Sequence, residues 1–246
     1  MNTPSESPPK VDASQSGASV THLDPASGYV TIINTYTVSP ERAEDLLSFL
    51  VRSTLSTIRF VPGFVSANLH VSLDRTQVVN YAQWLTPGAI AGARENPKVG
   101  ALIREQAQIA ASFTPIQYEL KNSTLAYDAS GSGARFAKLA PDAGLVTTLN
   151  VYTIAPDRAE EVLAYLVHSA TETVRHVPGF VSFNFHLSLD RTKIANYGQW
   201  ASREAVAAVR DNPQIVELTS ATARIAGKSV PTPYVLRNCL PAAGRD

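Results

Sequence analysis

The chain has 246 residues with 21 basic and 21 acidic side chains, so it carries no formal net charge and lacks the basic footprint of a nucleic-acid or anionic-membrane binder. Its one cysteine, Cys239, leaves neither an intrachain disulfide nor a thiolate metal site. No apolar run reaches the roughly 18 to 20 residues of a spanning helix, and residues 1–19 lack the basic and apolar regions of a signal peptide, so the chain reads as cytoplasmic.

Residues 1–27 are rich in Ser, Pro and small side chains and read as a disordered arm. Tyr29 to Val38 is a β-branched and aromatic run in strand style, followed by Ser39-Pro40-Glu41, a helix-start signal. Ala43, Leu46, Leu47, Leu50, Val51, Thr54 and Ile58 then recur at helical spacing and mark a core-facing stripe. Pro62-Gly63 breaks the chain. Phe64 to Leu73 and Gln77 to Trp84 are expected as the two strands of a hairpin turning at Asp74-Arg75-Thr76. Thr86-Pro87 opens a short helix, Asn96-Pro97 opens another running to about Ala110, and Ile116 to Leu120 makes a last strand.

After a Gly/Ser-rich linker at 127–143, the same order returns. VPGFVSANLHVSLDRTQVVNYAQW reappears as VPGFVSFNFHLSLDRTKIANYGQW, so Pro62, His70, Asn80 and Trp84 return as Pro178, His186, Asn196 and Trp200. The offset is constant, 62 to 178 and 84 to 200. Roughly half the positions agree without a gap from Gly28/Gly144 to Leu120/Leu236, which marks a duplicated domain. The expected architecture is α+β: two tandem ferredoxin-like domains of β-α-β-β-α-β order, at 28–126 and 144–240. Each sheet has one face bare of helices, so the two would cover each other as a pseudo-dimeric barrel within one chain.

Strand alternation puts Phe64, Ser66, Asn68, His70 and Ser72 on one face of their strand and Val65, Ala67, Leu69, Val71 and Leu73 on the other. The apolar face is assigned to the helices, and the polar face to a cavity between the sheets. A three-residue hairpin loop would place His70 opposite Asn80 and Ser66 opposite Trp84, whereas a two-residue loop would put them on opposite faces. Asn34, between apolar neighbours on the face that carries Tyr36, and its counterpart Asn150, beside Tyr152, need polar partners and are expected in the same cavity. The candidate catalytic set is therefore His70, Asn80 and Trp84 with His186, Asn196 and Trp200. Asn34, Tyr36, Asn68, Asn150, Tyr152 and Asn184 are the candidate substrate-binding set. A neutral imidazole can take a proton and an amide N–H can stabilise the resulting oxyanion. No HExxH or two-His-one-carboxylate pattern, glycine-rich phosphate loop or GxSxG elbow occurs, so no resident metal is expected.

The hairpin segment, and VNYAQW in particular, resembles the antibiotic biosynthesis monooxygenase (ABM) family, whose members pair as dimeric α+β barrels. The resemblance covers nearly all of both repeats and implies that the family's pocket His, Asn and Trp fall on His70, Asn80 and Trp84 and on His186, Asn196 and Trp200. It implies oxidation of a phenolic polyketide ring by dioxygen without a metal. The chain departs from the phenol-oxidising members at Leu69/Phe185 and Ile90/Val206, where those carry Tyr, and at Arg75/Arg191, where the turn Gly is usual. Tandem chains of this length also resemble ring-opening oxygenases of angucycline pathways, which implies reduced flavin (FADH2 or FMNH2) from a separate flavin reductase. Two alternatives stay open: a haem-degrading relative, suggested by Asn34 and Asn150, and a non-catalytic, cyclase-like polyketide-binding protein.

Overall fold

The computed structural model describes residues 19–126 and 136–244. The first half contains β1 (Thr21–Leu23), β2 (Val30–Thr37), α1 (Ala43–Ser56), β3 (Phe64–Ser72), β4 (Gln77–Trp84), α2 (Pro87–Glu95), α3 (Pro97–Ile109) and β5 (Ser112–Leu125). The second repeats it with β6 (Ala137–Leu139), β7 (Val146–Thr153), α4 (Ala159–Glu172), β8 (Phe180–Ser188), β9 (Lys193–Trp200), α5 (Arg203–Asp211), α6 (Pro213–Ala226) and β10 (Thr232–Pro241). The helix starts follow local chemistry: Thr86 Oγ1 accepts from Ala89 N–H at 3.1 Å, and Asn96 Oδ1 from Lys98 N–H at 2.9 Å.

Eight strands close into a barrel in the order β10-β3-β4-β2-β5-β8-β9-β7. The two sheets are joined by their last strands. β5 pairs with β2 of its own repeat and β8 of the other, and β10 pairs with β7 and β3. The expected strand at 116–120 is for this reason much longer, because its second half belongs to the neighbouring sheet. The two crossings are not equal: β2 and β5 pair over eight residues, Val30 to Thr37, whereas β7 and β10 pair only from Val146 to Leu149.

Two segments assigned to the arm and the linker are ordered. Thr21–Leu23 and Ala137–Leu139 pair antiparallel, and Leu23 and Leu139 are fully buried in the apolar cluster of the barrel interior. A strand of three residues is too short to show periodicity, which is why composition hid it. The rest of the expected arm, 1–18, and of the linker, 127–135, lies outside the described residues.

The hairpin register corrects the sequence reading. Four residues, Leu73 to Thr76, separate β3 from β4. Asp74 Oδ1 accepts from Ser72 Oγ at 2.7 Å and from Thr76 N–H at 3.0 Å, and Arg75 takes the left-handed conformation at φ 61°. An even loop shifts pairing by one residue, so Asn80 lies opposite Leu69 and His70 opposite Val79. His70 and Asn80 therefore sit on opposite faces of the sheet. A bulge between Phe64 and Ser66 also moves Phe64 to the helix side, where its ring meets Trp84 edge-on at 5.3 Å.

Candidate active site

The polar face of β3 does point into the barrel, as expected, but the barrel holds packed side chains. His70 and His186 are 1 % and 0 % exposed. Nδ1 of each faces a backbone carbonyl, Asn68 O at 3.1 Å and Asn184 O at 3.0 Å, which can only accept, so Nδ1 carries the proton and Nε2 the lone pair. Tyr197 O–H donates to His70 Nε2 at 2.7 Å, and Tyr81 O–H to His186 Nε2 at 2.8 Å. The two phenol rings meet at 5.4 Å, and each hydroxyl also contacts a threonine, Thr31 or Thr147. Burial pushes both imidazoles down to about 4 and both phenols well above their usual range, so all four groups are neutral at pH 7.

Asn68 and Asn184 share this interior. The side-chain N–H2 of Asn68 reaches Ser66 Oγ and Tyr81 O, and that of Asn184 reaches Ser182 Oγ and Tyr197 O. His70, His186, Asn68 and Asn184, expected in one cavity with Asn80 and Asn196, line neither of the two main cavities.

Those cavities lie on the other side of the sheet, under the helices. The first, about 340 Å³, is lined by Asn34, Tyr36, Asn80 and Trp84 together with Phe49, Phe64 and apolar side chains of α1 to α3. The second, about 580 Å³, is lined by Asn150, Tyr152, Asn196 and Trp200 with Phe183, Phe185 and side chains of α4 to α6. Volumes of this size suit a multi-ring organic ligand. Asn34 and Asn80 face each other as cross-strand neighbours of β2 and β4, and Asn150 and Asn196 do so on β7 and β9. The structure thus brings together eight of the twelve candidate residues, in two sets of four.

The sets are chemically unequal. In the first, Asn34 Oδ1, Asn80 Oδ1 and Trp84 Nε1 are buried without a hydrogen-bond partner, and the Tyr36 hydroxyl donates to Gln106 Oε1 at 3.1 Å. In the second, Trp200 Nε1 donates to Thr148 Oγ1 at 3.2 Å, Ser229 Oγ donates to Asn150 Oδ1 at 3.3 Å, and Asn196 Oδ1 alone of the corresponding atoms stays unpartnered. Thr148 stands where the first repeat has Ile32, Ser229 where it has Phe113, and Thr222 where it has Gln106. Burial raises the Tyr152 hydroxyl to about 12, and that of Tyr36 further still.

The profile of the antibiotic biosynthesis monooxygenase family matches residues 29–105 and again 145–218, more than half of the chain. The chain belongs to the ABM family. As an ABM protein it is an oxygenase, with two ferredoxin-like domains forming one α+β barrel. Tetracenomycin-F1 monooxygenase of Streptomyces glaucescens is 38 % identical over 79 residues, which cover 32 % of this chain and 70 % of that enzyme. The crystal structure of an anthrone oxidase-like protein superposes with a TM-score of 0.80 at 18 % identity, covering 92 % of this chain and 98 % of that one, and so shares the fold.

Several lining residues escaped the sequence reading. Arg94, on α2, lines the first cavity. Gln106 and Phe113 were hidden because their counterparts, Thr222 and Ser229, are unlike them. Tyr81 and Tyr197, by contrast, lie inside the retained VNYAQW/IANYGQW segment, and the correct hairpin parity would have put them on the face of His70. No histidine occurs on α3 or α6. Among the described residues no cluster of three His, Cys, Asp or Glu is placed to hold a metal ion, and no helix is long and apolar enough to cross a membrane.

Proposed function

We propose that this ABM oxygenase acts on an aromatic polyketide, oxidising a phenolic polycycle with dioxygen in a cavity between sheet and helices. The observation that carries the reading is the facing amide pair Asn34 and Asn80, beside the Trp84 indole, in an otherwise apolar pocket of about 340 Å³. The name of the tetracenomycin relative supports the substrate class.

For an anthrone-type methylene, the chemistry balances without an added reductant. The C–H proton leaves, the enolate gives its electrons to dioxygen to form a C–OOH group, and loss of water leaves a carbonyl. One oxygen atom enters the product, and the other becomes water. The cavity contributes orientation and charge stabilisation. Amide and indole N–H groups in its walls can hold the enolate oxygen while the aromatic side chains flank the rings. The expected role of His70 and His186 as general bases does not suit this site, since their Nε2 atoms already accept a tyrosine proton on the far side of the sheet. The proton is assigned to solvent, drawn off by the acidity of the substrate itself.

Dioxygen consumption with a dihydroxyanthrone tests the proposal, with the quinone identified by mass spectrometry. Stoichiometric uptake is expected, falling by about 10²-fold in Asn80→Ala, the scale of a lost oxyanion donor. Ring opening of an angucyclinone with reduced flavin from a separate reductase is the second arm, for which no cavity residue argues specifically. Absence of uptake in both arms would sink the oxygenase reading, and a cyclase-like binding role would then show as ligand binding without turnover. A Soret band on haem titration would point instead to the haem-degrading alternative.

A further inference from the structure

The differences between the two cavities point to different work. We propose that the second cavity is a holding site, binding a polycyclic aromatic phenol or quinone without oxidising it, while oxygen chemistry is confined to the first. The inference rests on the oxygenase reading above and assigns its two pockets.

Hydrogen bonding separates them first. A buried donor without a partner costs about 1–3 kcal/mol, recovered only when something accepts from it. Trp84 Nε1 is such a donor, so an acceptor that appears on the substrate during reaction is stabilised more than the resting ligand, which is the condition for lowering a barrier. Trp200 has no such reserve, because Thr148 already accepts its N–H at 3.2 Å. The Asn150 carbonyl is likewise engaged by Ser229.

Shape separates them again. Ala82 of the first cavity is replaced by Gly198, where a Cβ would lie 2.7 Å from Phe183 Cε1, so the absent methyl gives the Phe183 ring its place. Phe180, Phe183 and Trp200 then form an edge-to-face cluster with centroids 5.1 to 5.7 Å apart. Phe183 and Trp200 of that cluster line the cavity and suit a flat aromatic ligand by area and quadrupole. β10 pairs with β7 no further than Leu149, and Val230, in the segment that precedes β10, lines this cavity and is 82 % exposed. Arg224 and Lys228 line the same cavity, a setting that favours an ionised phenol or carboxylate.

Two substitutions exchange the hydrogen-bond states in the full-length chain. Ile32→Thr gives Trp84 the acceptor that Trp200 has, and Thr148→Ile removes that acceptor from Trp200. Oxygen uptake is expected to fall at least about tenfold further in Ile32→Thr than in Thr148→Ile, while Ile32→Thr loses no more stability than the removal of a buried Ile side chain accounts for, because its hydroxyl satisfies a buried donor. A tenfold difference in turnover between two reciprocal exchanges at matched positions is not what a merely structural role would give.

The chain has only two tryptophans, so Trp84→Phe leaves Trp200 as the sole indole reporter and Trp200→Phe leaves Trp84. Anaerobic titration with a polyhydroxylated anthraquinone should quench each reporter with its own affinity, giving two sites per chain. Equal losses of turnover in the two exchange variants, a larger loss in Thr148→Ile, or an unquenched Trp200 would each overturn the proposal. A wild-type chain that binds at both indoles but consumes no dioxygen with any substrate would refute the oxygenase reading instead, and the titration distinguishes that failure from the others.

Discussion

Tyr197 donates a 2.7 Å hydrogen bond to His70, a residue of the opposite repeat, and its twin Tyr81 does the same to His186. Each phenol therefore ties one half of the barrel to the other. Tyr197→Phe leaves a buried imidazole lone pair unmatched and should cost about 1–3 kcal/mol of unfolding free energy. Tyr81→Phe should cost a similar amount. The double variant should lose more than the sum or less, since the rings also touch at 5.4 Å. Urea denaturation of the four chains closes the cycle, and a Tyr197→Phe chain as stable as wild type would refute the coupling.

The same imidazoles set a lower pH limit for the fold. Burial holds both near 4, while an unfolded chain protonates histidine near the ordinary 6.5. Between those values the unfolded state binds more protons than the native state, so stability rises with pH. Stability is thus complete above about 6.5 and is lost as pH falls toward 4, by roughly 3 kcal/mol per histidine. Unfolding midpoints at pH 7.5, 5.5 and 4.5 measure it. A flat profile between 7.5 and 4.5 would show that the histidines are not held neutral.

Gly198→Ala should act on the second cavity alone. The new methyl would meet Thr148 Oγ1 at 2.6 Å and the Phe183 ring at 2.7 Å, so either the ring moves or the strand does. An overpacking penalty of about 1–3 kcal/mol is expected, together with weaker quenching of Trp200 by an anthraquinone. Unchanged binding and stability would mean that the Phe183 ring yields freely.

Ligand binding should also stabilise the whole barrel. The cavities are closed by helices on one side and barrel strands on the other, so unfolding destroys both. An anthraquinone at 100 times its dissociation constant should add about 2.7 kcal/mol per occupied site. Thermal melts across a titration would show two increments for two sites and one for a single site.

Much of the architecture was visible in the sequence because it is periodic and stated twice. The α1 stripe from Ala43 to Thr54, the Asn96 cap and the Asp74 turn all follow from local chemistry that needs no distant partner. The site was legible only in part. Asn34, Asn80 and Trp84 do line one pocket, but it lies under the helices and not inside the barrel, because one residue of loop length inverts the faces of a hairpin. Arg75 at φ 61° does the work of the glycine that normally signals this turn, so the signal for a four-residue loop was missing. His70 looked catalytic by type, yet its partner Tyr197 is 127 positions away and could be found only once the two sheets were closed on each other.

The crossing of β5 and β10 between the sheets has an evolutionary reading. In a barrel assembled from two identical chains, every substitution enters both pockets together, and an exchange such as isoleucine for threonine beside the indole must suit both or be rejected. Joining the halves in one chain removes that symmetry. Thr148, Phe183, Gly198 and Ser229 can drift while Ile32, Ala67, Ala82 and Phe113 stay, and His70, Tyr81, His186 and Tyr197 remain bound to one another because each is completed by the opposite half. Fusion of the halves gives one pocket the freedom to specialise without asking the other to follow.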